Sequence, residues 1–92
     1  MYLEIVSPEA TLYSGDVESV SVPGVDGQFQ MLENHASIVS LLKDGELRIK
    51  GNLNIDEQYQ SKFSTNQNGD YCLEVLSGTV EFKNNKLIVL ID

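Results

Sequence analysis

Short apolar runs, each closed by a turn signal, recur along nearly the whole chain. Tyr2 to Val6 reads as a first strand, stopped at Ser7-Pro8 because proline has no N–H to give a ladder. Gly15-Asp16 opens Val17 to Val22, and two turn signals follow closely, Pro23-Gly24 and the hairpin dipeptide Asp26-Gly27. Gln28 to Leu32 is the next strand, with Phe29 and Met31 on one face and Gln28, Gln30 and Leu32 on the other. Ala36 to Leu42 fits a buried strand or a helical segment by periodicity alone; the β-branched Ile38-Val39 pair and the flanking turn residues favour strand. After the Asp44-Gly45 turn, Glu46 to Lys50 alternates cleanly and points Leu47 and Ile49 inward.

The second half is less even. Gly51 to Gln58 is polar and weakly patterned, Tyr59 to Phe63 offers one further short strand, and Ser64 to Asp70 has loop composition. Tyr71 to Leu76 and Thr79 to Lys83 are strands around Ser77-Gly78, and Lys86 to Ile91 is the last. Asn84-Asn85 suits a two-residue hairpin turn, because asparagine tolerates positive φ. Many short strands with hardly a helical pattern predict an all-β fold, an antiparallel β-sandwich. No repeat, low-complexity tract or linker divides the chain, so residues 1–92 are expected to form a single domain.

Charge narrows the function classes. Fourteen acidic residues against six basic ones give a net charge of −8, which repels phosphate backbones and anionic membrane surfaces. No nucleic acid and no direct membrane insertion are therefore expected. The opening residues lack the basic and apolar regions of a signal peptide, and no apolar run nears the roughly 18 residues of a spanning helix. Cys72 is the only cysteine, which excludes an intramolecular disulfide, fits a reducing cytoplasm, and reads as a buried small hydrophobe.

Candidate chemistry is sparse. A hydrolase would have to use His35, the only histidine, with Ser37 or Ser40, yet the strained Gly-x-Ser-x-Gly elbow is missing. Soft-metal binding needs more histidine or cysteine, and Asp16, Asp26 and Asp44 lie in separate turns instead of one calcium loop. Gly24 and Gly27 are not followed by the Gly-Lys-Ser/Thr of a phosphate loop. The residues thus predict no catalytic site, no cofactor and no metal. A small ligand- or carbohydrate-binding sandwich is the alternative; it would want an exposed aromatic platform, and the chain has four tyrosines, three phenylalanines and no tryptophan.

From Gly27 to Ile49 the chain resembles the epsilon subunit of the bacterial F-type ATP synthase. The shared pattern is carried by Gly27, Phe29, Met31, His35-Ala36, Ile38-Val39, Leu41-Leu42, Gly45, Leu47 and Ile49. Ile5-Val6-Ser7-Pro8-Glu9 with Leu12 to Val17 is similar to that family's opening, and Leu76 to Phe82 with Leu87 to Leu90 resembles its last hairpin. The resemblance implies a β-sandwich of about ten strands at the foot of the central rotor stalk. It would be a non-catalytic subunit that packs on gamma and on the c-ring, so that proton-driven rotation reaches the catalytic subunits. It also implies a peripheral place on the cytoplasmic side of the bacterial inner membrane. The chain is expected to be a monomer on its own.

Carried over by position, the resemblance puts Ser7 and the turn Asp26, Gly27 and Gln28 toward the c-ring, and His35, Ser37, Ser40 and Leu42 toward gamma. Many members have Pro-Gly before the histidine and proline after the alanine; this chain has Glu33-Asn34 and Ser37. Asn34 can supply the positive φ, so the bend is expected without the prolines. Gln28 stands where glutamate is frequent, and Gly51 to Gly69 is longer than usual, an expected extended hairpin. Longer relatives continue into two C-terminal helices that restrain ATP hydrolysis; no such helical domain is expected here.

Overall fold

The computed structural model describes residues Met1–Asp92. Its strands are β1 (Tyr2–Val6), β2 (Thr11–Asp16), β3 (Ser19–Gly24), β4 (Gly27–Leu32), β5 (Ile38–Leu42), β6 (Gly45–Lys50), β7 (Phe63–Thr65), β8 (Tyr71–Val75), β9 (Gly78–Lys83) and β10 (Lys86–Ile91), and a 3-10 helix, Glu57–Lys62, precedes β7. They form one curled ladder in the order β2-β1-β10-β9-β5-β3-β6-β8-β7, with β4 paired to β3 off that path. β3 and β5 meet at a single pair, Gly24 opposite Leu42. The ladder therefore folds over at that corner into two five-stranded sheets. Between them lies a cluster of 20 buried apolar residues drawn from both, including Leu3, Phe82 and Val89 from one and Val20, Met31 and Ile49 from the other. This is the expected sandwich, antiparallel in every pair except β1 with β10, which run parallel.

Local signals placed several elements well. β1 and β10 have the expected bounds. Met31 is fully buried and Phe29 packs against the core, as the alternation in β4 requires, and Leu47 and Ile49 are fully buried in β6. β5 is a strand. Asn84 (φ 53°) and Asn85 (φ 60°) form the tight turn between β9 and β10, where both central residues need positive φ.

Elsewhere the structure differs, for identifiable reasons. The segment Thr11–Asp16 is an edge strand that alternation does not reveal, because the register slips between Ile5 and Val6. Ile5 faces Tyr13 and Val6 faces Thr11, so Leu12 is the extra residue of a bulge, and Leu12 and Tyr13 are both buried. β3 starts at Ser19, later than Val17, and runs through Pro23-Gly24. Gly24 and Gly27 close a two-residue loop, Val25-Asp26, so Pro23 directs its polar atoms away from β4, and its carbonyl accepts from Lys43 N at 2.9 Å. The ladder changes partner there from β6 to β5, and a missing N–H costs little. Gly27, not Asp26, takes the positive φ, 129°.

Tyr59 to Phe63 is not a strand. Asp56 Oδ1 accepts from Gln58 N at 2.9 Å and caps the 3-10 helix Glu57–Lys62; only Phe63 of that segment is in a strand, β7, which continues through Ser64-Thr65 into the region expected to be loop. Nor is Gly51 to Gly69 an extended hairpin: β8 lies between β6 and β7. The segment instead crosses the open side of the sandwich as a strap, with Leu53 and Ile55 buried in the core. Asn54 borders hollows lined by β2 on one side and by β7 on the other.

Candidate interaction surface

The turns gather at two ends of the sandwich. One end carries the Ser7–Ala10 turn, the Val25-Asp26 tip and the Leu76-Ser77 turn; the other carries the bend between β4 and β5 and the Asn84-Asn85 turn. Ser7 and the tip residues Asp26, Gly27 and Gln28 thus share an end, as the sequence carry-over requires, but they are not adjacent. Three strands, β10, β9 and β5, lie between β1 and β3 in the ladder. Ser7 is turned inward, with N–H and Oγ both donating to Ala10 O, at 2.8 and 3.1 Å. Asp26, Gly27 and Gln28 are exposed.

The residues carried over to the other side divide. His35 and Ser37 sit on the β4–β5 bend, where Asn34 takes φ 60° without a proline beside it. The His35 ring is half-buried and meets Phe82 edge to face, centroids 5.7 Å apart, and its Nδ1 donates to Ala36 O at 2.7 Å. Ser40 lies opposite Val80 and Leu42 opposite Gly78, on the inner side of β5. Leu42 is only 4% exposed and belongs to the core, which leaves the outer surface of β5 to its neighbours. Those neighbours are Val39 and Leu41, 73% and 61% exposed. The run Ile38-Val39-Ser40-Leu41-Leu42 hid them, because its one polar residue points inward.

The outward rows extend across the sheet. Leu41 neighbours Thr79, then Leu90, then Val6; Val39 neighbours Glu81, then Ile88, then Glu4. Apolar side chains therefore cover much of this outer face, with two carboxylates flanking Ile88. A shallow hollow of about 420 Å³ between Val25, Leu41, Gly78 and Leu90 continues the apolar surface onto the end that bears the Val25-Asp26 tip. The other sheet's outer face differs in kind: Ser19, Ser21, Gln30, Arg48 and Lys50 line a hollow with no apolar residue.

Titratable groups offer no reactive centre. Burial, then the Glu46 carboxylate, pushes the Cys72 thiol up, and burial, then Asp16, does the same to the Tyr13 phenol. Glu33 is the group held low, by hydrogen bonds from the N-terminal ammonium and then from Asn85. No three His, Cys, Asp or Glu residues are placed to hold a metal ion, and no helix is long and apolar enough to cross a membrane.

The outer face of β5 and β10 is the sandwich's most apolar exposed surface, of the kind that marks interaction sites. The chain's sequence relatives give the family. Residues 1–61 match the ATP synthase delta/epsilon chain β-sandwich domain. The ATP synthase epsilon chain of Campylobacter fetus is 37% identical over all 92 residues, which cover 60% of that relative. That of Chlorobium limicola is 33% identical over 88 residues, covering 96% of this chain and 84% of the relative. The chain belongs to the ATP synthase delta/epsilon chain family and comprises its β-sandwich domain. It spans about 60% of the length of the Campylobacter relative. The fold is also similar to a chain in the central stalk and c-ring structure of the Tetrahymena thermophila mitochondrial ATP synthase, with TM-score 0.72 and 14% identity over 99% of this chain and 62% of that one. A chain of the Euglena gracilis mitochondrial enzyme gives TM-score 0.73 and 13% identity over 97% and 48% of the two chains.

Proposed function

We propose that this chain is a non-catalytic rotor module of an F-type ATP synthase, joining gamma to the c-ring so that proton-driven rotation is transmitted to ATP synthesis. As part of that complex it sits peripherally on the cytoplasmic side of the bacterial inner membrane, with residues 1–92 acting as one rigid piece. The observation that carries the reading is the contrast between the two outer faces: one presents Val39, Leu41, Ile88 and Leu90, while the hollow on the other is lined only by polar residues and charges of both signs. An apolar face on a chain of net charge −8 is kept for a partner, and gamma is the partner this reading assigns to it.

Gamma docks on the outer face of β1, β10, β9 and β5, with His35 and Ser37 at its border. Ser7, Asp26, Gly27 and Gln28 lie at the end turned to the c-ring. Four strands of five residues make a flat footprint of roughly 300 Å², well short of the ~800 Å² per partner in a standard interface. Contact with gamma therefore extends past the strands onto the bend and the Leu41–Leu90 hollow. Glu4 and Glu81 suit basic groups on gamma, which favours register and encounter more than affinity.

Gel filtration of the purified chain with its cognate gamma subunit tests this. Co-elution at micromolar concentration is expected; separate elution contradicts the reading.

A further inference from the structure

The bend that carries His35 is held mostly by contacts from outside its two strands. The ladder of β4 ends at Leu32 and that of β5 begins at Ile38, so five residues cross the end of the sandwich without strand pairing. From inside, His35 N donates to Leu32 O at 3.1 Å and the His35 ring rests against Phe82. From outside, Glu33 uses both carboxylate oxygens. Oε1 accepts from the Met1 ammonium, and Oε2 accepts from Asn85 Nδ2 at 2.6 Å. Asn85 completes the circuit, its Oδ1 accepting from Asn34 N at 2.8 Å.

We propose that Glu33 and Asn85 form a clasp between the β4–β5 bend and the β9–β10 turn, acting as positioning residues that fix how His35 and Ser37 are presented to the docking partner. The role in docking rests on the gamma reading above; the clasp itself does not. Two features mark it as a positioning device. Glu33 itself is 55% exposed, while the Met1 ammonium it holds is buried, so its carboxylate ties the start of β1 to the bend at the surface of the fold. Its geometry is closed: both Asn85 side-chain groups and both Glu33 oxygens are engaged, across separations of 32, 51 and 52 residues. Asn34 and Asn85 both stand at φ 60°, so each turn presents its polar atoms in a fixed direction. The hydrogen bonds that hold the Glu33 carboxyl below its ordinary range come first from the Met1 ammonium and then from Asn85.

Asn85→Gly tests the clasp without straining the turn, because glycine is at ease at positive φ; Glu33→Ala removes the other half. Amide exchange of Asn34 and the chemical shifts of the His35 ring report on the bend in the free protein. Each variant is expected to speed Asn34 exchange by roughly two- to tenfold, the range that one hydrogen bond contributes, and the double variant to add nothing further. The same variants are expected to raise the Kd for gamma by a similar factor. Unchanged Asn34 exchange and His35 shifts would refute the clasp. Altered exchange with unchanged gamma affinity would refute its positioning role. Failure of the unaltered protein to bind gamma refutes the docking reading and the positioning role with it, while the free-protein measurement still decides whether the clasp exists.

Discussion

Gly78 lies so close to Leu90 that a Cβ added there would stand 2.1 Å from the Leu90 carbonyl oxygen. β9 and β10 pair along their whole lengths, and the obstacle is backbone, so neither strand can yield without moving the sheet. Gly78→Ala is expected to cost about 3 kcal/mol, at the upper end of the usual overpacking range. Urea unfolding checks it; a loss below about 1 kcal/mol would show that the strands separate there easily.

The strap makes a second prediction. Leu53 and Ile55 enter the core at 7% and 8% exposure. Between Asn52 and Ser61 the strap's polar bonds are its own, such as Gln60 Nε2 to Ile55 O at 3.2 Å. It is therefore expected to open before the sandwich unfolds. Ile55→Ala should lower stability by about 2 kcal/mol and hasten tryptic cleavage after Lys62, while exchange of the β9 and β10 amides keeps its order. Cleavage at the rate of global unfolding would contradict this.

How much of this was legible in the sequence depends on the range of the signal. Asn84-Asn85 announces its turn within two residues, and Leu47 and Ile49 announce their face within five. Tyr13 does not announce its burial, because the bulge at Leu12 breaks the alternation that would reveal it. Tyr59 carries a strand-forming ring, yet the Asp56 cap decides the local structure. On β5 the inward turn of Ser40 disguised Val39 and Leu41, whose side chains face outward. The parallel pairing of β1 with β10, and Glu33 with Asn85, join positions too distant for any local pattern to show.

Acid should weaken the clasp in a defined window. The folded-state pKa of Glu33 is depressed, so its contribution is fully present above the ordinary glutamate value of about 4.3 and is lost as pH falls through the lower folded value. The urea midpoint of Glu33→Gln should differ from that of the parent above that pH and converge with it in stronger acid. A difference independent of pH would contradict the ionic role of Glu33.

Cys72 should be inert. It is 3% exposed, and burial raises its thiol pKa, which leaves little thiolate to react. Alkylation of the native protein is expected to be at least roughly tenfold slower than that of the unfolded chain; equal rates would place the thiol at the surface.

The central claim is that the apolar outer face of β5 and β10 is the seat of gamma. Leu41 is 61% exposed, and substitution at such a position should change stability by no more than about 0.5 kcal/mol. The most direct measurement is the Kd for gamma of Leu41→Asp, beside Arg48→Gln on the opposite outer face. A loss of tenfold or more for Leu41→Asp, equivalent to about 1.4 kcal/mol, with Arg48→Gln near the parent value, is what this account predicts. Equal affinity for Leu41→Asp and the parent would contradict it.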